Sequence, residues 1–252
     1  MRRILFLGHA GVGKGFFATI CAERLSMVHV SMGDVIRREI LKKEEERGIG
    51  EIGGKGKEGK MGENVRQGGL IDDAKCLSLL MNELKSVDTR VGLKRGGLLL
   101  DGFPRTLHQA KQLQSLLPFH AIELSLDREV AREKLLGRRE CSSCGKGFNL
   151  SHVVRDNFHM PALLPSPDKC SLGPQKCRPV LVSRNDDTLE GIEKRFAAFD
   201  EHNGSICAFY ESMGLLSRFN VTRGVDDTDK LMAIIASIDY HQQQQLMNRM
   251  TA

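Results

Sequence analysis

The first residues able to do chemistry form a glycine-rich run near the amino terminus, GHAGVGKG at residues 8–15. The run follows the apolar stretch Ile4–Leu7 and precedes a helix-like stretch that begins at Phe16. A glycine-rich turn between a strand and a helix directs several backbone N–H groups and the positive end of the helix dipole towards an anion. Lys14 adds a charge that can reach the β- and γ-phosphates of a nucleotide. The pattern predicts a phosphate-binding loop, and the alternative is an ordinary glycine-rich turn.

A second group of reactive residues follows the apolar run Leu98–Leu100. Asp101 ends this predicted strand, and the carboxyl ends of parallel strands meet in one crevice, where Mg²⁺ and its waters need oxygen ligands. Gly102 and Pro104 predict a tight turn that returns Arg105 to the same crevice. The alternative for Arg105 alone is a surface arginine on a turn.

These residues need a sheet to position them, and short apolar runs do alternate with amphipathic stretches along the chain. Strands are predicted at Arg3–Leu7, Val28–Val30, Gly97–Asp101, Ala121–Leu126 and Ser217–Val221. Helices are predicted at Lys14–Leu25, Asp34–Glu46, Asp72–Lys85, Leu107–Leu117, Arg128–Leu136, Thr188–Met213 and Asp227–Tyr240. The alternation predicts an α/β fold with a doubly wound, parallel, five-stranded sheet.

Two segments interrupt this alternation. Residues 48–69 hold nine glycines among lysines and glutamates, a composition that buries little and predicts a surface excursion. Residues 139–183 hold four cysteines and no helical period, which predicts a small inserted subdomain.

Composition excludes several classes of protein. The 252 residues contain no run of 18 apolar residues, so a membrane span is not expected. The first strand begins almost at Met1, so we expect no signal peptide and a cytoplasmic protein. The net charge of +5 suits an anionic ligand. Tryptophan is absent and no Lys/Arg block with interleaved aromatic residues occurs, which argues against a nucleic-acid-binding surface.

Five motifs occur in one order over about residues 1–225: GxxGxGKG at 8–15, SMGD at 31–34 with Arg37, DGFPRT at 101–106, GRR at 137–139, and RNDD at 184–187 with Arg195. In these motifs the chain resembles the adenylate kinase family of nucleoside-monophosphate kinases, in its long-lid form. The resemblance implies a P-loop NTPase fold whose core is made of residues 1–30, 72–136 and 188–240. It also implies two mobile insertions, at 31–71 for the monophosphate and at 137–187 for the lid, and a tail at 241–252.

The implied activity is reversible, Mg²⁺-dependent transfer of the γ-phosphoryl group of ATP to AMP, giving two ADP, in nucleotide homeostasis. Such a reaction requires two phosphates in line and neutralisation of the developing charge. The family pattern places ATP at Gly11, Val12, Gly13, Lys14, Gly15, Phe16 and Arg138. It places AMP at Ser31, Arg37, Leu70, Ile71, Gly102, Arg105, Gln109, Arg184 and Arg195.

The resemblance also assigns charged groups to the reaction itself. The implied catalytic cations are Lys14, Arg105, Arg138, Arg184 and Arg195. Asp34 and Asp101 are implied to organise the waters of Mg²⁺, and Asp186 and Asp187 to connect the closed lid to the core. We expect a monomer whose partners are ATP and AMP, or ADP in reverse, without nucleic acid or membrane.

Several residues depart from the family pattern. Phe16 and Phe17 replace Thr-Gln, Met32 replaces a threonine beside the AMP base, Lys134 replaces an arginine that stacks on the donor adenine, and Gly69 replaces a lysine. An ammonium group stacks less well than a guanidinium group, so donor-base choice is open. Two alternatives remain: a kinase of the same fold with another base preference, GTP:AMP or pyrimidine monophosphate, or an inactive nucleotide-binding module.

Four of the seven cysteines lie in the predicted lid, as Cys141 and Cys144, then Cys170 and Cys177. Four thiolates can close a structural zinc site in a subdomain too small for its own core. The second pair is more widely spaced than is usual, so His152, His159 or Asp168 are substitute ligands, and free thiols are the alternative to zinc. A zinc-ribbon nucleic-acid-binding module is a third interpretation. Cys21, Cys76 and Cys207 lie on predicted helices and are expected in the core.

Overall fold

The computed structural model describes residues 2–46, 71–91, 96–165 and 180–238. The strands in these ranges are β1 (Arg2–Leu7), β2 (Met27–Ser31), β3 (Gly97–Asp101), β4 (His120–Ser125), β5 (Arg138–Cys141), β6 (Gly147–Asn149), β7 (Val153–Arg155), β8 (Phe158–Met160), β9 (Leu181–Val182) and β10 (Leu216–Asn220). The helices are α1 (Lys14–Arg24), α2 (Met32–Glu46), α3 (Asp73–Val91), α4 (Leu107–Leu116), α5 (Arg128–Leu136), α6 (Leu189–Ser212) and α7 (Thr228–Ser237). None of these helices is long and apolar enough to cross a membrane.

Five parallel strands form the main sheet in the order β10-β4-β1-β3-β2. Each of the five predicted strands is present, which confirms the α/β prediction. Helix boundaries differ more. Helix α2 begins at Met32, two residues before the predicted start, and α3 extends to Val91 instead of ending at Lys85. A 3-10 turn at Gly224–Asp227 precedes α7 and occupies the predicted start of that helix.

The sheet separates two hydrophobic cores, because successive side chains of a strand point to opposite faces. Ile4 and Phe6 of β1 face one core, with residues of α1, α5, α7 and the first half of α6. Leu5 and Leu7 face the other core, with residues of α2, α3, α4 and the second half of α6. Helices therefore cover both faces, as a doubly wound parallel sheet requires. The carboxyl ends of β1, β2 and β3 form one edge of this layer, where the predicted reactive residues begin.

Short antiparallel strands follow α5. Strands β6, β5 and β9 form a three-stranded sheet with a small cluster around Cys141 and Phe148. Strands β7 and β8 form a separate hairpin, and Val153 and Met160 from this hairpin are buried in the first main core. The described residues of this segment, 138–165 and 180–182, thus form one small sheet with its own cluster and one hairpin that packs against the core. The sequence predicted a subdomain here but none of its individual strands.

Candidate active site

The phosphate loop, residues 8–15, connects the end of β1 to the first turn of α1. Gly13 precedes α1 with a φ of 92°, a left-handed conformation that favours glycine. Gly8 has a φ of 142°, and a Cβ atom there would lie 2.5 Å from the Leu124 carbonyl oxygen. Both positions therefore require a residue without a side chain. The predicted strand, turn and helix N-terminus are all present, and this arrangement is suited to an anion.

The ammonium group of Lys14 folds back over the phosphate loop. Its Nζ donates hydrogen bonds to the carbonyl oxygens of Gly8, at 2.6 Å, and His9, at 2.9 Å. These bonds hold the charge at the mouth of the loop. A phosphate bound there would replace two neutral acceptors with a charged one, which forms stronger hydrogen bonds.

Other predicted catalytic cations lie close enough to Lys14 to affect its titration. The pKa of Lys14 is lowered to about 8, mainly by burial, and the nearby carboxylate of Asp101 opposes this shift. Three guanidinium groups contribute to the lowering: those of Arg105, Arg138 and Arg195. Positive charge is therefore concentrated around the phosphate loop, which favours an anionic ligand.

Asp101 lies at the end of β3, beside the first turn of α1. It is buried, and a Cβ atom built at Gly15 would lie 3.2 Å from its Oδ2 atom. Within the described part of the chain, Asp101 Oδ1 has no hydrogen-bond partner. A buried carboxylate oxygen without a partner costs free energy unless a ligand or water satisfies it. Its chemistry and position next to the phosphate loop fit the hydration shell of Mg²⁺.

Polar residues from the first turn of α2 lie next along the edge of the sheet. Arg37 forms an ion pair with Asp34, and a Cβ atom at Gly33 would lie 3.4 Å from Arg37 Nη1. The backbone N–H of Asp34 donates to Ser31 Oγ at 3.4 Å. Burial raises the pKa of Asp34, but the hydrogen bond and charge of Arg37 outweigh burial and lower the pKa below its usual value. Asp34 is therefore ionised near neutral pH and is held by the cation predicted to bind AMP.

The turn after β3 holds a hydrogen-bonded group that connects α3 and α4. Arg105 Nε donates to the Gly102 carbonyl at 3.1 Å, and the Arg105 backbone N–H donates to Gln109 Oε1 at 2.7 Å. Gln109 Nε2 donates to Asp73 Oδ1 at 2.7 Å, and the Thr106 hydroxyl donates to Asp73 Oδ2 at 2.9 Å. Gln109, predicted to contact adenine, thus has both amide atoms hydrogen-bonded within the protein.

Two more predicted cations share carboxylates near the predicted lid. Arg138 donates to both carboxylate oxygens of Asp187, at 2.7 and 2.6 Å. Arg195 contacts Asp187 at 2.9 Å and Asp186 at 2.9 Å. The Asp187 side chain is only 1% exposed. Asp186 and Asp187 therefore hold together the start of the predicted lid and helix α6 of the core.

Arg184 is paired separately. Its Nε donates to Glu140 Oε1 at 2.5 Å, and both side chains are 30% exposed. The positive charge of Arg184 also acts on Asp34, and it helps to lower the pKa of that carboxyl group. Arg184 thus lies within electrostatic range of the first turn of α2.

Three of the departures from the family pattern have a structural explanation. Phe17 is buried in the first core, and Phe16 packs against that core in an edge-on contact with Phe17. Met32 is buried in the second core. Lys134 Nζ donates to the Ser151 carbonyl at 3.0 Å, so this ammonium group fastens the segment after β6 to α5. These side chains serve packing and local structure.

The other residues predicted to contact ATP or AMP lie in the phosphate loop, against the second core or outside the described residues. Val12 is a buried residue of the phosphate loop, and a Cβ atom at Gly11 would lie 2.6 Å from the Ala131 carbonyl oxygen of α5. Ile71 packs against the second core. Leu70, Gly69 and the glycine-rich run 48–69 lie outside the described residues, as does the tail at 241–252.

The predicted zinc site is only half within the described residues. Cys141 is buried and Cys144 half-buried, on a turn where the Gly145 N–H donates to the Cys141 carbonyl at 2.8 Å. Cys170, Cys177 and the substitute ligand Asp168 lie outside the described ranges. Within those ranges, no group of three or more His, Cys, Asp or Glu residues could hold a metal ion. Cys21, Cys76 and Cys207 are buried in the main cores, as predicted.

Two residues of this site were not anticipated from sequence. Asp73 contacts Gln109 and Thr106, and Glu140 pairs with Arg184. Both partners of Asp73 are more than 30 residues away along the chain, and Arg184 is 44 residues from Glu140. No local pattern connects such pairs. The one available signal was an acidic residue in the first turn of α3, which is also typical of helix N-termini.

Comparison with known proteins adds an independent finding. A family model described as adenylate kinase matches residues 6–215. The chain is 33% identical over 248 residues to adenylate kinase 1, chloroplastic, of Arabidopsis thaliana, covering 95% of this chain and 80% of that protein. It is 32% identical over 247 residues to the GTP:AMP phosphotransferase of Plasmodium falciparum, covering 97% and 99%. It is 32% identical over 226 residues to an adenylate kinase of Treponema pallidum, covering 89% and 93%.

Proposed function

From the premise that this chain belongs to the adenylate kinase family, and is therefore a phosphotransferase, we propose that it catalyses ATP + AMP = 2 ADP with Mg²⁺. The observation that carries this choice of substrates is the convergence of Lys14, Asp101 and Arg105 at one edge of the sheet, with Gln109 beside them. This arrangement offers a phosphate loop for a donor and, beside it, a guanidinium group with a neighbouring amide for an acceptor.

On the donor side, the phosphate loop and Lys14 would bind the β- and γ-phosphates. The backbone N–H groups of the loop and the N-terminus of α1 supply fixed partial positive charge. Lys14 would leave its two carbonyl acceptors and follow the charge that develops on the transferring group. Because these donors are already in position, little reorganisation is needed during the reaction.

On the acceptor side, Arg37 and Arg105 would bind the phosphate of AMP, and Gln109 would contact its base. Arg37 now pairs with Asp34, and Arg105 bonds to the Gly102 carbonyl. Guanidinium groups bind phosphate through two parallel hydrogen bonds and so fix its direction as well as its distance. Fixing the acceptor phosphate in line with the donor is the main task of an enzyme for this reaction.

Closure of the predicted lid, residues 137–187, would complete the site. Arg138, Arg184 and Arg195 would then reach the transferring group and exchange carboxylate partners for phosphate oxygens. Closure also excludes water, which otherwise would accept the phosphoryl group in place of AMP. We propose that residues 31–71 form the second mobile insertion, around the core of residues 1–30, 72–136 and 188–240.

Mg²⁺ bound with the nucleotide would neutralise charge on the β- and γ-phosphates. Asp101 and Asp34 are the carboxylates suited to hold its hydration shell. Asp101 offers a buried oxygen that accepts no hydrogen bond within the described ranges, and Asp34 is ionised near neutral pH. The Phe16 side chain offers no hydroxyl for this role, so the two aspartates carry it.

A second candidate, transfer from GTP to AMP, is favoured by two observations. A relative that aligns with nearly the whole chain is named a GTP:AMP phosphotransferase. In this protein Lys134, at the position of the family's stacking arginine, bonds to the Ser151 carbonyl instead. Selection for a donor adenine is therefore weaker than in the family pattern, while Gln109 is retained on the acceptor side.

The test is a coupled assay of ATP and GTP as donors against AMP, CMP, UMP and GMP as acceptors, with Mg²⁺ present. We expect ATP and AMP to give the highest kcat/KM. A GTP and AMP maximum would establish the second candidate in place of the first. A pyrimidine acceptor would contradict the role of Gln109, and nucleotide binding without turnover of any pair would indicate an inactive module.

Three further proposals accompany this function. A structural zinc ion at Cys141, Cys144, Cys170 and Cys177 is supported by the buried Cys141 and the turn to Gly145, and elemental analysis of the purified protein tests it. We propose a monomer that binds no nucleic acid or membrane. We also propose a cytoplasmic location, with the chloroplast as the alternative that one relative's name suggests.

A further inference from the structure

Asp73 forms two hydrogen bonds that no role in phosphate chemistry explains. Its Oδ1 atom accepts from Gln109 Nε2 at 2.7 Å, and its Oδ2 atom accepts from the Thr106 hydroxyl at 2.9 Å. Thr106 in turn caps α4 by accepting from the Gln109 backbone N–H at 3.1 Å. The carboxylate is therefore held at both oxygens, and its position relative to Gln109 is fixed.

These contacts determine which way the Gln109 amide faces. The Arg105 backbone N–H can only donate, so it must face the amide oxygen, at 2.7 Å. A carboxylate can only accept, so the side chain of Asp73 must face the amide nitrogen. The reverse orientation would bring two donors together at one end and two acceptors at the other. The assignment of Oε1 and Nε2 thus follows from hydrogen-bonding chemistry.

An amide held in this way has one N–H and one oxygen lone pair left for a ligand. Adenine presents a matching pair, an N–H at its 6-amino group and an acceptor at N1. A 6-oxopurine presents the opposite pair, an acceptor at position 6 and an N–H at N1. An amide that could rotate by 180° would fit either base, whereas an amide of fixed orientation fits only one at a given base position.

We propose that Asp73 is a positioning residue that, by fixing the Gln109 amide, makes the acceptor site select a 6-aminopurine monophosphate over a 6-oxopurine monophosphate. The inference rests on the proposed function, because it takes AMP as the acceptor. It adds Asp73 to the residues that determine the function and gives a physical cause for the choice of acceptor base. The family pattern supplies a glutamine, and the Asp73 carboxylate, together with the Arg105 backbone N–H, decides which base the glutamine can recognise.

Burial strengthens the effect. Gln109 is 1% exposed, so a base reaches its free edge only after neighbouring side chains move. Within a space closed to water, a mismatched donor or acceptor cannot find a solvent partner, and the penalty for the wrong base is correspondingly large. Asp73 is bonded through both oxygens before the base arrives, so the orientation of the amide does not depend on the ligand.

The adjacent Asp72 provides a matched control. Its Oδ1 accepts from the Lys75 backbone N–H at 3.0 Å, so Asp72 caps α3 while Asp73 faces α4. Asp72→Asn removes the same charge from the same helix end, and asparagine is an equally good cap. In Asp73→Asn, by contrast, the asparagine has only one acceptor oxygen, so it cannot accept from both Gln109 and Thr106. When its oxygen faces Gln109, its NH₂ group faces the Thr106 hydroxyl, which then loses its acceptor.

The experiment measures Kd by calorimetry for AMP and IMP, in wild type, Asp73→Asn, Asp72→Asn, Gln109→Ala and the double variant Asp73→Asn/Gln109→Ala, together with KM for both donor and acceptor.

We expect Asp73→Asn to reduce the AMP/IMP preference about tenfold through loss of a charge-assisted hydrogen bond. Asp72→Asn should leave the preference unchanged. KM for the donor should stay constant. In the Gln109→Ala background, Asp73→Asn should have no further effect, because Asp73 acts only through Gln109.

Any one of three results with the variants would overturn the inference: an unchanged preference in Asp73→Asn, an equal loss in Asp72→Asn, or an equal loss in the Gln109→Ala background. A wild type that binds IMP as well as AMP would also overturn it. If Asp73→Asn does not fold, Asp73→Glu, which displaces the carboxylate by one methylene, takes its place with the same expectation. Because these are binding measurements, they decide the inference even if no transfer to AMP occurs, an outcome that would refute only the proposed function.

Discussion

The acceptor side and the lid side of the candidate site hold their polar groups in different ways. At the acceptor side, Gln109 is held by a backbone N–H and by a carboxylate that no predicted phosphate contact requires. At the lid side, Arg138 and Arg195 are held by Asp187, and Arg184 by Glu140. The first set is compatible with a bound nucleotide. The second set must exchange partners before its cations can reach a phosphate.

The difference indicates a division of labour between selection and catalysis. A group that recognises a base must keep its orientation whether or not the base is present, and the two hydrogen bonds of the Gln109 amide to Arg105 and Asp73 allow this. A cation that stabilises a transferring phosphoryl group must be available only when the site is closed. Before closure, ion pairs with carboxylates keep such cations from being buried as unpaired charges. Substitutions on the two sides should therefore change different measured quantities.

The largest expected effect is on the donor side, at Lys14. Lys14→Met should lower kcat/KM by roughly 10³-fold, because one preorganised charge on the transferring group is lost. The preference for AMP over other acceptors should be unchanged, since Gln109 is untouched. Steady-state kinetics with varied donor and acceptor measure both quantities.

Lys134→Met is the matched control for this substitution. It removes the same ammonium group from a lysine that bonds to the Ser151 carbonyl. We expect a loss of no more than about tenfold, comparable to one hydrogen bond. A loss at Lys134 as large as that at Lys14 would contradict the structural role assigned to it, and a change of acceptor preference in Lys14→Met would contradict the division of labour.

The next largest effect concerns the stability of the lid-side ion pairs. Asp187→Asn leaves Arg138 and Arg195 without their shared, fully buried carboxylate, and should lower the free energy of unfolding by about 2–4 kcal/mol. Glu140→Gln breaks a more exposed pair with Arg184 and should cost about 0.2–1 kcal/mol. Urea unfolding of the two variants beside wild type measures the difference. Equal losses would mean that the buried Asp187 does not hold the two arginines together.

The smallest expected effect is a pH dependence of the donor kcat/KM, which the acceptor side should not share. The pKa of Lys14 is lowered to about 8, so its charge is present below pH 8 and is lost as the pH rises through that value. The donor kcat/KM, which reports the free enzyme, should fall about fivefold between pH 8 and pH 9. A bound phosphate restores the charge, so kcat should fall only at higher pH.

The acceptor side provides the internal comparison for this profile. Gln109 does not titrate, and the guanidinium groups that would bind the AMP phosphate remain charged over this range. The KM for AMP should therefore be constant from pH 7 to pH 9. A parallel rise in the KM for AMP would mean that both sides share one titrating group.

The sequence predicts the fold and the phosphate loop well, because both depend on local patterns. Apolar runs such as Leu98–Leu100 identify strands buried on both faces, and the glycines at 8–15 identify a loop whose backbone angles exclude other residues. The order of motifs then identifies the family, which the comparisons confirm. Each strand, loop or motif that carries these signals lies within about ten residues of chain.

The contacts that distinguish the two sides could not be predicted in this way. Asp73 meets Gln109 across 36 residues and Arg138 meets Asp187 across 49, and neither separation follows a helical or strand period. For Lys134 the sequence pattern and the structure give different partners. Its place in the family pattern indicates contact with the donor base, whereas its hydrogen bond is to the Ser151 carbonyl, which only the folded chain brings near.

The most direct test of the central claim follows the transferred group itself. The protein is incubated with Mg²⁺, AMP and ATP labelled at the γ-phosphate, and the products are separated and quantified. We expect the label in the β-phosphate of newly formed ADP, with two ADP formed for each ATP consumed. Label released as inorganic phosphate, or label that stays in ATP while AMP is unchanged, would contradict phosphoryl transfer between these two nucleotides.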